Sequence, residues 1–420
     1  MTFKRYNKFM QSLMILGRQP QLGLAELESL YGGDKLQPVG SEAVIVDVDP
    51  CLLAFDRLGG SVKFCKLLTT LDTTEWQKIE QFLISVGPGH SQTMPEGKMR
   101  LGLSLYGFKE NLKRIEATGL NLKKAIRKTG RSVRLVPNKA LDLNAAQIIH
   151  NQLTGPTGWE LVFIRDGNKT IVGQTVKVQD IESYTRRDRE RPKRDSKVGM
   201  LPPKLAQILI NLSVGQLSEE KLSNICDIPA GQEIPRPVLG QIILDPFCGT
   251  GVVLQEALLM GYEAYGTDLE PRMAEYSEYN LEWLSHQHKL STGYKVAAGD
   301  ATNYTWENPI DFVAAETYLG RPFTSTPSGE ILTQTISDCN LIIKKFLRNL
   351  DSQLQAGTRL CLAVPAWQTS KNKFRHLPLI DQIEELGYNR VRFEHIRDDE
   401  LLYYREDQIV ARQLLVITRK

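Results

Sequence analysis

The residues best suited to chemistry lie just past the middle of the chain, in Asp245-Pro246-Phe247-Cys248-Gly249-Thr250-Gly251. An apolar run, Gln241 to Leu244, leads into them, and the helix-like pattern Val252 to Met260 follows. A glycine-rich turn between strand and helix lets a ligand approach backbone where a side chain would block it. A dinucleotide site of the G-x-G-x-x-G kind needs a third glycine, and Leu254 stands there. Asp245 would repel a pyrophosphate but suits a ligand carrying positive charge. Two more acids follow the same pattern. Glu263 to Thr267 reads as a second strand ending at Asp268, and Ala297-Ala298-Gly299-Asp300-Ala301 ends a third. An acid ending the second strand can accept both hydroxyls of a ribose. Asp300 is suited to an adenine amine. Alone, each Asp reads as a cap or turn residue. Three acids at three successive strand ends, in register with a glycine turn, point to S-adenosylmethionine, a nucleoside with cationic amine and sulfonium groups.

Other reactive residue types carry less. The six cysteines (51, 65, 226, 248, 339 and 361) show no C-x-x-C and no paired spacing, which suits neither a disulfide framework nor zinc and fits a reducing cytoplasm. Cys248 and Cys339 read as packing residues, and His286 and His288 as surface groups at a helix end. Trp283, Trp306 and Trp367 read as packing residues, with the substrate mouth as an alternative place for Trp367, which follows Pro365 at the end of the fifth strand. No metal is expected. Lys4, Arg5 and Lys8 precede an apolar run, Ser12 to Leu16, that is too short for a signal peptide and reads as a first strand. No window has the ~18 unbroken apolar residues of a membrane span.

The elements that must position these residues fall into an N-terminal α+β half and a C-terminal α/β half. Residues 12–60 read as strand, helix, strand, helix, with the first helix from Gln21 to Tyr31 and a β-branched run from Ala43 to Val48. Strands are expected at 99–106, 132–136, 160–164 and 170–177, and helices near 109–129 and 142–153, the latter capped by Asp142. Asp166-Gly167-Asn168 supplies a hairpin turn. The stretch 178–200 reads as an irregular linker. Pro203 then opens a helix running through Leu212. Residues 213–240 read as a loop or short insertion, with Pro229, Pro235 and Pro237. From 241 onward strand and helix alternate, which implies a mostly parallel sheet.

Charge separates the halves further. The chain has 420 residues, with 41% hydrophobic and 24% charged, an ordinary globular composition, and a net charge of +3. That small total is a cancellation. Lys109 to Lys139 holds ten basic residues against two Glu, and Arg186 to Lys197 holds seven against three acids, so the other 377 residues carry −9. Two such clusters predict a polyanion-binding face formed by Lys123, Lys124, Arg127, Lys128, Arg131, Arg134 and Arg187.

Asp245 to Gly251 and Gly266-Thr267-Asp268-Leu269-Glu270-Pro271-Arg272-Met273 resemble the class I methyltransferases that modify the exocyclic amine of tRNA guanine, and most of all the tRNA guanine-10 methyltransferase family. The resemblance extends through Leu16 to Leu27, Asn168 to Val178, Arg187 to Pro192, Pro202 to Leu212 and Tyr404 to Arg412. It implies an α/β Rossmann-like domain at 201–420 with a seven-stranded, mostly parallel sheet. It also implies a ferredoxin-like unit at 1–60, a THUMP-like RNA-binding unit at 61–178 and a linker at 179–200. S-adenosylmethionine would be bound by Asp245, Phe247, Gly249, Gly251, Asp268, Leu269, Asp300 and Ala301. The substrate would be tRNA or another structured RNA in the cytoplasm, with Glu394, Arg405 and Arg412 near its approach.

One stretch departs from the family pattern. After the fourth strand the family has an acid or amide, two prolines and an aromatic residue, whereas this chain has Glu316-Thr317-Tyr318-Leu319. Glu316 and Tyr318 are the candidates for catalysis, as acceptor for the amine and stacking platform for a flipped base. Without the prolines the loop is expected to lack rigidity. The alternatives are a protein that binds cofactor and RNA without transferring methyl, and a DNA amino-methyltransferase.

Overall fold

The computed structural model describes residues 11–195, 201–226, 240–290, 293–307, 309–323, 325, 327–370, 373–405 and 408–420, without the side chains of 224–226. Residues 227–239, where Pro229, Pro235 and Pro237 were expected in a loop, lie outside the described residues, as do 196 and 197 of the second basic cluster. The chain groups into two compact units. One comprises the chain up to Pro20, Asp34–Asp56 and Ser61–Glu182; the other comprises Gln21–Gly33, Arg57–Gly60 and the chain from Ser183.

The first unit holds one sheet built from β1 (Ser12–Leu16), β2 (Leu36–Val39), β3 (Ala43–Val46), β4 (Ser61–Leu71), β5 (Met99–Tyr106), β6 (Val133–Leu135), β7 (Gly158–Asp166) and β8 (Lys169–Val178). Their order is β2-β3-β1-β4-β8-β7-β5-β6, so strands from both sides of residue 60 share a single sheet. Helix α1 (Pro20–Tyr31) belongs from Gln21 on to the second unit, whereas α2 (Trp76–Thr93), α3 (Leu112–Arg127) and α4 (Ala145–His150) belong to the first. Helix α3 buries Ile115, Leu122 and Ile126 at seven- and four-residue spacing, which turns its lysines and arginines outward. Asn144, rather than Asp142, caps α4. Its side chain accepts the Gln147 N–H at 2.9 Å while Gln147 accepts the Asn144 N–H at 3.2 Å, a reciprocal capping box.

The second unit opens with α5 (Ile181–Arg189), so the stretch expected to be an irregular linker carries a helix. Then come α6 (Pro203–Val214), α7 (Glu219–Cys226), β9 (Ile242–Asp245), α8 (Val252–Leu259), β10 (Glu263–Asp268), α9 (Pro271–His288), β11 (Tyr294–Ala298), β12 (Phe312–Glu316), α10 (Gly329–Asp351), β13 (Arg359–Ser370), β14 (Lys373–Arg375), β15 (Tyr388–Arg390), β16 (Leu402–Tyr403) and β17 (Val410–Arg419). The sheet order is β11-β10-β9-β12-β13-β17-β15, with β14 and β16 as short additions. Strands β9 to β13 run parallel and β17 is antiparallel to both neighbours, as expected for a mostly parallel seven-stranded sheet. The order reverses between β9 and β12, and in such sheets the crevice at that reversal is where ligands bind. Helix α10 packs Ile336, Cys339, Ile343, Phe346, Leu347 and Leu350 into the core with Val313, Leu360 and Leu362. Trp367 is fully buried there, so it packs the core and does not line a substrate mouth. Among the described residues no helix is long and apolar enough to cross a membrane.

A buried polar cluster holds α1 to α6 within this unit. The Glu26 carboxylate accepts the Gly59 N–H at 2.9 Å, the Gly60 N–H at 2.8 Å and the Asn211 amide at 2.7 Å. Arg57 donates to Asn211 Oδ1 at 2.9 Å and to the Tyr262 hydroxyl at 3.0 Å. Burial pushes the Glu26 carboxyl from 4.5 up to about 7, against the pull of those donors and of the Arg57 charge. An acid whose folded pKa is raised binds its proton more tightly when folded, so its contribution is fully present below pH 4.5 and is lost as pH rises through about 7. The unfolding free energy should therefore fall by about 3 kcal/mol across that window, measured by urea titration at a series of pH values, and Glu26→Gln should flatten the dependence. A variant with the wild-type pH dependence would remove Glu26 as its source.

Candidate active site at the sheet reversal

Strand β9 delivers Asp245 to the carboxyl edge of the sheet, and the chain turns through Pro246 to Gly251 into α8. The turn needs two left-handed residues, and both are glycine: Gly249 at φ 51° and Gly251 at φ 82°. A Cβ on Gly251 would lie 2.9 Å from Ser277 Oγ, whereas one on Gly249 would meet nothing within 4 Å. The first glycine thus faces open space and the second faces packed α9.

Several groups hold the turn. Asp268, at the end of β10, accepts the Gly249 N–H at 2.9 Å and the Glu270 N–H at 3.0 Å. Each carboxylate oxygen keeps a second lone pair for a ligand hydroxyl. Ser277 donates to the Gly249 carbonyl at 2.9 Å, and Asn280 donates to the Thr250 carbonyl at 2.9 Å. Arg191, buried, donates to Thr250 Oγ1 at 3.3 Å. Cys248 is buried beneath the turn beside Gly266, a packing role as expected.

The remaining residues expected at a cofactor gather around the same edge. Asp300 follows β11 and accepts the Thr302 N–H at 2.9 Å. Ala301 is buried, its carbonyl accepting the Asn349 amide at 3.0 Å. Phe247 stands edge-on to Phe346 at 5.0 Å between ring centres. Leu269, beside Asp268, is 72% exposed, an apolar side chain standing in water at the rim of the site.

Charge at this edge is one-sided. Burial raises the Asp245 carboxyl well above the usual carboxylate range, opposed by the Phe247 N–H at 3.1 Å, and the Asp268 and Glu316 charges raise it further. Burial raises Asp268 as well. A positively charged ligand here would relieve this repulsion. Among the described residues no group of three His, Cys, Asp or Glu side chains forms a metal-holding arrangement.

Strand β12 ends at Glu316, and the loop after it is anchored without prolines. Thr317 donates both its N–H and its hydroxyl to the Ala363 carbonyl, at 3.1 and 3.2 Å. Arg412 Nε donates to Glu316 Oε1 at 2.5 Å. The rigidity expected to vanish with the prolines is supplied by these bonds. Tyr318 points outward, 43% exposed, with its hydroxyl pKa raised by partial burial and by the neighbouring Cys339 and Asp338.

The basic residues divide into free and engaged ones. Lys124, Arg127, Lys128 and Arg134 are exposed and Lys123 is half-buried, all in the first unit. Arg131 is not part of a free face: its guanidinium donates to the Ser91, Met94 and Pro95 carbonyls and so closes the end of α2. Arg187 is also engaged, pairing with buried Glu256 at 3.0 Å and donating to Ser183 at 2.8 Å. Arg412, expected near an RNA approach, is buried against Glu316. Arg405 is exposed, and the Glu394 N–H donates to the Glu28 carboxylate. The sequence carried a signal for the role of Arg412. Val410-Ala411-Arg412-Gln413-Leu414-Leu415-Val416 is a mostly apolar strand, and a charge buried in it needs a counter-ion.

No family model matches the chain. Among curated proteins, it is 30% identical over 167 residues to a tRNA (guanine(10)-N2)-dimethyltransferase of Methanothermobacter thermautotrophicus, covering 40% of this chain and 39% of that protein. It is 28% identical over 238 residues to the protein of the same description from Pyrococcus abyssi, covering 54% of this chain and 58% of that one. The chain thus spans about two to three fifths of the length of the curated relatives it matches. Among solved structures, TrmN from Thermus thermophilus aligns over 98% of this chain and all of that one at 15% identity, with a TM-score of 0.49.

The turn geometry makes its own prediction. Gly251→Ala should destabilise the protein by about 1–3 kcal/mol through the left-handed backbone and the crowding at Ser277, read from denaturant midpoints. Wild-type stability would show that the turn does not adopt this conformation.

Proposed function

We propose that this chain is an S-adenosylmethionine-dependent methyltransferase acting on the exocyclic N2 of a guanosine in tRNA. The observation that carries the reading is the row of acids following three adjacent parallel strands, Asp245, Asp268 and Asp300, around a glycine turn at the reversal of the sheet. The curated relatives, tRNA (guanine(10)-N2)-dimethyltransferases, support the substrate. Counted from β9, the sheet order 3-2-1-4-5-7-6, with its antiparallel seventh strand, supports the class I methyltransferase fold.

The residues present fit the cofactor. Asp268 has lone pairs left for ribose hydroxyls, Asp300 after the third strand would accept an adenine amine, and Leu269 and Phe247 offer apolar surface. The raised carboxyl of Asp245, crowded by Asp268 and Glu316, favours a cationic ligand. When bound, S-adenosylmethionine supplies an electrophilic methyl group on a sulfonium centre, and the protein supplies position and desolvation. Glu316 accepts a hydrogen bond from the guanine amine and takes its proton, while Tyr318 offers its exposed ring for stacking of the extruded base. The open space at Gly249 leaves backbone accessible to the ligand.

The first unit serves in this reading as the RNA-binding module, THUMP-like over residues 61–178, with Lys123, Lys124, Arg127, Lys128 and Arg134 on the phosphate backbone. The reaction belongs in the cytoplasm, where tRNA is modified.

Labelled S-adenosylmethionine incubated with the protein and bulk tRNA, with DNA in parallel, should yield N2-methylated guanosine from tRNA alone after digestion. Binding without transfer would leave a scaffold protein, and label in DNA would redirect the substrate. Asp268→Ala should abolish cofactor binding in calorimetry, and an unchanged affinity would sink the site assignment. Charge reversal at Lys123, Lys124, Arg127 and Lys128 should weaken tRNA binding. It should also flatten the salt dependence, by about 0.9 in log–log slope for each phosphate of a helical stem that is no longer neutralised. An unaltered slope would return α3 to an ordinary solvated helix.

A further inference from the structure

We propose that Arg412 is a positioning residue for Glu316, fixing one carboxylate oxygen so that the other faces the reacting amine. The inference rests on the functional reading above. Its geometric basis is the sheet. Glu316 ends β12 opposite Ala363 of β13, and Arg412 of β17 lies opposite Pro365 of the same strand. Positions 363 and 365 share a face, so the Glu316 and Arg412 side chains stand on one side of the sheet. They meet across β13, over two small side chains. Arg412 Nε reaches Oε1 at 2.5 Å, with the two side chains only 9% and 15% exposed. Oε2 has no hydrogen-bond partner among the described residues.

Stability does not account for this pair. A buried ion pair is at best comparable to apolar side chains of the same volume. It stands at the end of the strand carrying the candidate acceptor, and it replaces an anchoring device that two prolines would supply. A guanidinium bonded to Oε1 fixes the carboxylate in orientation and leaves Oε2 as an acceptor. Thr317, tied twice to the Ala363 carbonyl, fixes the backbone of the same loop. Side chain and backbone of the loop are therefore both held from β13 and β17.

The test is a double-mutant cycle on the full chain with S-adenosylmethionine and tRNA. Arg412→Gln should lower kcat about 100-fold, the size expected for a misplaced reacting group, with KM for tRNA and cofactor affinity within about twofold of wild type. Arg412→Lys should restore part of the loss by returning the charge. Glu316→Ala with Arg412→Gln should be no slower than Glu316→Ala alone, because one residue acts through the other. A wild-type kcat in Arg412→Gln, a loss confined to KM, or full additivity in the double variant would each overturn the proposal. Should Arg412→Gln fail to fold, Arg412→Lys carries the cycle with a smaller expected loss of kcat, and a wild-type kcat or full additivity with Glu316→Ala overturns the proposal. A wild-type protein that binds cofactor and tRNA but transfers no methyl overturns the functional reading and this proposal with it. An active wild type with an indifferent Arg412 overturns this proposal alone.

Discussion

The Asp268 carboxylate, by accepting the Gly249 N–H, ties the end of the second strand of the parallel sheet to the turn after the first. Much of the candidate site follows from that bond. The turn reverses through two left-handed glycines, which gain no side-chain packing of their own, so its shape must be imposed from neighbouring elements. Asp268 does so from β10, Ser277 and Asn280 from α9, and Arg191 from the segment after α5. The stretch that reads as a linker is thus part of the wall behind the turn: Arg187 pairs with Glu256 of α8, and the Lys193 N–H donates to Asn280 at 2.9 Å.

A second constraint is electrostatic. Parallel strands ending together bring Asp245, Asp268 and Glu316 to one edge, where burial and then the Asp268 and Glu316 charges all raise the Asp245 carboxyl. Such an edge needs positive charge. Arg412 supplies it to Glu316, and a cationic ligand would supply it to the others.

The N-terminal helix shows how far apart in sequence the determinants lie. Leu16 to Leu27 and Pro202 to Leu212 stand out separately in the sequence, and the structure joins them through the Glu26–Asn211 bond, with Arg57 and Tyr262 completing the cluster. Some elements were hidden by their composition. Helix α2, over a stretch where no element was expected from the sequence, contains Pro88 between Gly87 and Gly89, and its buried Trp76, Ile79 and Leu83 hold it in place. Strand β2 contains Pro38, which an edge strand accommodates because one side of it has no partner. Asp142 was the expected cap of α4, and the reciprocal bonds between Asn144 and Gln147 put the cap two residues later.

By itself the amino-acid sequence determined the parallel sheet, its glycine turn and the acids at its strand ends. Those depend on local rules: alternation along strands, glycine where φ is positive, and polar residues where strands meet solvent. It also determined where positive charge is concentrated. Tertiary structure alone decided which of those charges are available. Arg131, Arg187 and Arg412 are as basic as Lys124 or Arg127, but each finds carbonyls or a carboxylate to satisfy it. The partner of Arg412 lies 96 residues away, on a strand that is not even its neighbour. A side chain's charge is fixed by its chemistry, whereas its partner is fixed by the register of three strands, and no spacing within one segment encodes that.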